Sequence, residues 1–156
     1  MKTLILGLIF LSVSGVGFVI GDKYKQKEKF YYDFKNFLVY LKSEIGFFEK
    51  NVVDILNGYQ TKNENLKLLF QKFNESLNGI DFKGINILSN EENFKLIEFF
   101  KGIGKSDCDS QKEYIEKNLE IFTKIYEDAK LNNQKKGSMF KKLSILAGLL
   151  ICIVLI

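Results

Sequence analysis

No arginine, histidine, proline or tryptophan occurs among the 156 residues, and there are only two cysteines. Each absence removes a class of chemistry. Without histidine the chain lacks the commonest general base and metal ligand. Without arginine it lacks the side chain that clamps phosphates in bidentate fashion. The two thiols are not placed to pair, because Cys152 falls inside an apolar run and Cys108 in a charged stretch. That leaves no disulfide framework and fits a reducing compartment. Cys108 reads as an ordinary small side chain near a helix start. A phosphate loop is also missing: Gly79 and Gly84 have the spacing, but Ile85-Asn86 stands where Lys-Ser/Thr is needed. Two carboxylate pairs, Glu91 with Glu92 and Asp107 with Asp109, fall at helix starts, where negative charge complements the helix dipole. Neither pair has the ligand count that calcium requires. The chain therefore reads as a non-enzyme, with no catalytic, cofactor-binding or metal-binding residue.

Two long uncharged runs are present. Leu4 to Gly21 is one, and Leu143 to Ile156 is the other. A helix of eighteen residues is ~27 Å long, close to the ~30 Å hydrocarbon core of a bilayer. The fourteen-residue run gives only ~21 Å, but Lys141 and Lys142 can snorkel and let Met139 and Phe140 add to its apolar length. The first run lacks an Ala-x-Ala cleavage site and stays apolar through Ile20, so an uncleaved anchor is expected rather than a removed signal. The expected layout is a transmembrane helix at 1–21, a domain at 22–142 and a transmembrane helix at 143–156. Lys23, Lys25, Lys27, Lys29 and Lys35 follow the first run, and Lys130, Lys135, Lys136, Lys141 and Lys142 precede the second; beyond the spans there is only Lys2. This bias predicts a cytoplasmic central domain, and the lysines also suit anionic headgroups of the lipid bilayer.

Residues 22–142 hold 22 lysines against 19 acidic residues, a balance that argues against nucleic acid as a partner. Apolar positions at Phe30, Phe34, Phe37, Leu38, Leu41, Ile45 and Phe48 recur in steps of three and four, the pattern of a helix with one buried face. Gly46 is a candidate break. A short helix from Asn51 to Leu56 is expected to stop at Asn57-Gly58. Thr61 with Glu64, and Ser89 with Glu92, fit capping boxes. The first opens a helix through Leu66, Leu69, Phe70, Phe73 and Leu77 that closes at Asn78-Gly79. The second opens one through Leu96, Phe99, Phe100 and Ile103 that closes at Gly102-Ile103-Gly104. Residues 79–88 read as a short helix or an irregular turn. Ser106 or Asp107 caps a last long helix with the stripe Ile115, Leu119, Phe122, Tyr126 and Ala129. The expected fold is all-α, a bundle of about five or six helices between two transmembrane helices.

Three local patterns carry a resemblance. Lys141 to Leu150, KKLSILAGLL, followed by an apolar end, is one; Leu41 to Ile45 fits L-x-x-E-I; and Phe100 to Ile115 fits F-x-x-x-G-x-x-D-x-x-x-Q-x-x-x-I through Gly104, Asp107 and Gln111. In order and spacing the chain resembles the stage III sporulation protein AB family along its length, although Ser144 stands where that family usually has glycine. The resemblance implies a helical domain similar to platform protein F of type II secretion machines. It implies a non-catalytic platform in the membrane of the mother cell around the forespore. The implied partners are a secretion-type cytoplasmic ATPase and ring-forming channel proteins of the same sporulation stage, with self-association left open. The matched positions Glu44, Gly104, Asp107 and Gln111 have two readings. Asp107 and Gln111 either fix the Gly104 turn or meet a partner, and Glu44 either bonds across to that turn or faces a partner. Two other classes compete with the platform: an exported, C-terminally anchored helical interaction protein with its domain outside, and a small membrane-perforating holin or toxin.

Overall fold

The computed structural model describes residues 2–48, 51–77 and 84–155. The described residues form helices and turns, with no strand among them. The elements are α1 (Lys2–Phe48), α2 (Val52–Gly58), α3 (Glu64–Leu77), α4 (Asn90–Gly102), α5 (Cys108–Asn132), a π-turn (Asn133–Gly137) and α6 (Ser138–Leu155). By internal packing the chain divides into two units, residues 1–28 with 127–156, and residues 29–126. Both apolar runs read from the sequence lie in the first unit.

The unit of residues 29–126 is built on aromatic side chains. Phe30, Tyr31, Phe34, Phe37, Leu38 and Leu41 on α1 are wholly buried. The Phe34 ring meets Phe122 of α5 edge-on at 4.8 Å and Phe99 of α4 at 5.8 Å. Phe37 packs on Phe70 of α3 at 4.6 Å, and Phe73 on Phe100 at 4.7 Å. Each such aromatic pair adds ~0.5–1.5 kcal/mol beyond the area it removes from water. The periodic stripe of α1 thus forms the axis on which α3, α4 and α5 pack.

Helix starts follow local chemistry, with one correction to the sequence reading. At α4 the expected reciprocal box is present: Glu92 N–H donates to Ser89 Oγ at 3.3 Å, and Ser89 N–H to Glu92 Oε2 at 2.8 Å. At α3 the cap is Asn63 and not Thr61. The Asn63 Oδ1 accepts from the amides of Asn65 and Leu66, while its Nδ2 donates to Asp33 on α1 at 2.7 Å. That tertiary bond to α1 fixes the choice, and Thr61 Oγ1 instead accepts from the Asn63 amide. The expected stop at Asn78-Gly79, with Ile80 and Phe82, lies outside the described residues. Beyond it, Ile85 and Leu88 are buried, and Asn93 fastens this turn to α4 by accepting from Ile85 N–H at 2.7 Å and donating to the Ile85 carbonyl at 3.1 Å.

In the unit of residues 1–28 and 127–156, the start of α1 and α6 run antiparallel. Gly148 faces Phe10 and Ser14, Gly17 faces Ser144, and Tyr24 stacks on Phe140 at 6.1 Å. A Cβ on Gly17 would overlap the Ser144 side chain, and one on Gly148 would lie 2.9 Å from the Phe10 ring. Small residues let the two backbones approach where no hydrophobic drive separates helix from lipid. At the end of this seam Lys141 Nζ donates to Asp22 Oδ1 at 2.7 Å, which holds that carboxyl below its usual pKa. The outer faces are apolar and open: Leu4 is 73% exposed, Leu146 56% and Val154 80%. Among the described residues, two helices are long and apolar enough to cross a membrane.

The π-turn sets the register of this unit. Ser138 N–H donates to the Asn133 carbonyl, five residues back. Ala129 and Gly148, both buried, would be about 100° out of phase on an unbroken α-helix at ~3.6 residues per turn. Absorbing one residue in the π-turn returns them to about five whole turns, hence to one face.

Candidate functional site

The four motif positions fall at and near the connection between α4 and α5. Gly102-Ile103-Gly104 must reverse the chain after α4, and Gly104 does so at φ +80, a left-handed conformation open to glycine and strained for L side chains. Asp107 then opens α5. Its carboxylate accepts from Ser110 Oγ at 2.7 Å and from Ser110 N–H at 3.2 Å. Those two bonds hold the Asp107 carboxyl below its usual pKa.

Gln111 closes the turn from inside. It is only 4% exposed, and both ends of its amide are committed. The Oε1 accepts from Gly104 N–H at 3.0 Å, and Nε2 donates to Ser106 Oγ at 2.9 Å. Cys108 Sγ donates to the Ile45 carbonyl at 3.2 Å, which ties the α5 start to the last part of α1. Gly104 and Gln111 line an open cleft of about 510 Å³, together with Ile45, Asn51, Val52 and Ser106. Asp107 and Glu44 do not line it. The structure therefore brings Gly104, Asp107 and Gln111 into one turn and places Glu44 next to Ile45 on α1, outside the cleft wall.

Chemically this arrangement holds shape. An amide with both ends hydrogen-bonded has little left to offer a substrate, and the carboxylate of Asp107 is engaged as a helix cap. A second concavity in the same unit differs in character. Between α4 and α5, Phe99, Tyr114, Ile121 and Phe122 line an apolar groove of about 310 Å³ with Lys95 and Glu98 on its rim. Tyr114 Oη donates to the Phe99 carbonyl at 3.1 Å, and its ring stacks on Phe99 at 5.9 Å. Phe94, adjacent to Lys95 on α4, is 65% exposed. The sequence stripes did not distinguish this groove from core, because Phe99 and Phe122 serve both.

Among comparisons with known proteins, the family model described as stage III sporulation protein AB matches residues 2–156. No curated protein and no solved structure matches.

Proposed function

The chain belongs to the stage III sporulation protein AB family, and from that membership we infer that it is a non-catalytic membrane platform of a secretion-like channel complex between mother cell and forespore. Family membership supports a role in sporulation. The platform reading is carried by one observation: helices long and apolar enough to cross a membrane accompany a helical unit whose buried motif side chain, Gln111, is committed to holding a turn. A domain of that kind is suited to positioning other proteins. The central unit faces the cytoplasm, where it presents a surface to a secretion-type ATPase and to ring-forming channel subunits. The apolar groove between α4 and α5, with Phe94 and Ile121 exposed beside it, is the surface we assign to the ATPase contact.

Two measurements test this. Deleting the gene should block endospore formation, and supplying the full chain should restore it. In detergent the full chain should retain the purified secretion-type ATPase, and Ile121→Glu should weaken that binding at least tenfold with helicity unchanged. Normal spores without the gene, or ATPase binding indifferent to Ile121→Glu, would each contradict the corresponding part of the reading.

A further inference from the structure

The basic residues of the π-turn and the first turns of α6 are not equivalent. Lys141 is taken by Asp22 at 2.7 Å. Among the described residues, no carboxylate lies within ion-pair distance of Lys135 or Lys142. These two lysines line one open pocket of about 400 Å³ whose other walls are Gln134, Ser138, Met139 and Leu143. Lys135 lies in the π-turn and Lys142 two turns further on, so both stand on one helix face with Ser138 and Met139 between them. Lys135 and Gln134 stand at the end of the pocket nearer the π-turn and Lys142 with Leu143 at the other, with Ser138 and Met139 between; Leu146 continues the face one turn beyond Lys142.

We propose that this pocket seats the headgroup of an anionic phospholipid. Lys135 and Lys142 bracket the phosphate, Ser138 and Gln134 donate hydrogen bonds to its oxygens, and the acyl chain follows Met139 and Leu143 down α6. Charge complementarity and continuity with the apolar span select the occupant. A free anion would use the lysines but leave the apolar wall idle, and a zwitterionic lipid would offer a phosphate but bring a cation of its own beside the two lysines. The inference rests on the reading of α6 as a membrane span. It goes beyond a general basic flank, because it requires Lys135 and Lys142, which line the pocket, and not Lys130 or Lys136, which do not.

The absence of tryptophan supplies the assay. Leu146→Trp in the full chain places a single tryptophan one turn beyond the pocket, next to Lys142 and Leu143 on the same face. The protein is reconstituted into phosphatidylcholine vesicles containing a minor fraction of phosphatidylglycerol, with the brominated acyl chains carried by one lipid or the other. Brominated phosphatidylglycerol is expected to quench as though enriched about fivefold over its bulk fraction, one lysine's share of electrostatic attraction at a membrane surface. Lys135→Gln with Lys142→Gln should return that ratio to about one. The charge-matched pair Lys130→Gln with Lys136→Gln should leave it in place. Equal quenching by the two lipids would overturn the proposal while leaving the span intact. Equal loss in both lysine pairs would overturn it in favour of diffuse attraction. No quenching by either lipid would remove the membrane reading and the proposal with it.

Discussion

Replacing Gln111 separates a turn held by one buried amide from a turn held by its backbone alone. Gln111→Met keeps length and volume but removes an acceptor for Gly104 N–H and a donor for Ser106 Oγ, bonds of 3.0 and 2.9 Å. Each intramolecular bond contributes ~1 kcal/mol net, so the variant should lose about 1–2 kcal/mol, the lower end applying if water reaches the Gly104 amide. For a domain of this size that is a fall of about 5–15 °C in melting temperature. Gln111→Glu gives a different signature. Its carboxyl can accept from Gly104 N–H and, once the Ser106 hydroxyl turns round, from that group too, but at neutral pH it carries a buried charge. Burial raises such a carboxyl's pKa, so the Glu variant should approach the parent at acid pH and weaken as pH rises. Thermal melts of the full chain in detergent, followed by far-UV circular dichroism at pH 4 and pH 7, read both effects. A Met variant melting within a degree of the parent would refute the argument, as would a Glu variant whose deficit does not change with pH.

Further outcomes follow from the same packing. Gly148→Leu drives a side chain into Phe10 and Ser14, an overpacking that costs about 1–3 kcal/mol; the yield of a cross-link between Ser14→Cys and Ser144→Cys in a background without Cys108 and Cys152 should drop several-fold. Gly7→Leu, where nothing lies within 4 Å, should leave that yield alone. The Asp107 carboxyl is held low by Ser110, so its charge stabilises the fold above the ordinary carboxylate range and that contribution is lost as pH falls through its depressed value. Asp107→Asn, which keeps a capping oxygen, should accordingly have a lower urea midpoint at pH 7, with a deficit that shrinks as pH falls below the ordinary carboxylate range; a gap independent of pH would refute this. Among the described residues the buried Tyr31 hydroxyl makes no well-formed hydrogen bond, and burial first, then the Glu92 carboxylate close to it, push its pKa up. Its neutral form is thus favoured by folding, a contribution intact below about pH 10 and lost above it as unfolded tyrosine ionises. Tyr31→Phe should be no less stable at pH 7, gaining up to ~1 kcal/mol, and should resist alkaline unfolding better than the parent. A destabilised Phe variant at neutral pH would mean that the hydroxyl has a partner.

What was legible in the sequence is what depends on near neighbours. The α1 stripe from Phe30 to Ile45 is a matter of spacing along one helix, and those positions are buried. Ser89 and Glu92 form their box within a single turn, so the four residues suffice to define it. Thr61 and Glu64 show the same pattern, yet Asn63 takes the cap because it can also reach Asp33, thirty residues away. Tyr31 joins the core too: it lies three residues before Phe34, in step with the stripe, and Phe122 and Phe30 enclose it from two sides. At the motif, Gly104 and Asp107 announce a turn and a cap locally. The bonds from Gln111 back to Gly104 and Ser106 span seven and five residues and required the folded loop to be seen. The π-turn left no compositional trace, because it answers to the pairing of α6 with the start of α1. The Gly17–Ser144 contact is equally invisible until that pairing is known, since the missing side chain of Gly17 is what makes room for Ser144.

The central claim is that the unit of residues 29–126 lies in the cytoplasm, where a platform can meet an ATPase. Cys108 is a poor reporter, since it is half-buried and its thiol donates to the Ile45 carbonyl. Lys105→Cys, exposed beside the Gly104 turn, in a chain carrying Cys108→Ser and Cys152→Ser, gives a single accessible thiol. Intact cells expressing this chain are treated with a membrane-impermeant maleimide, before and after permeabilisation. The account predicts protection in intact cells and full labelling once the membrane is opened. Labelling in intact cells would place the unit outside and contradict the platform reading.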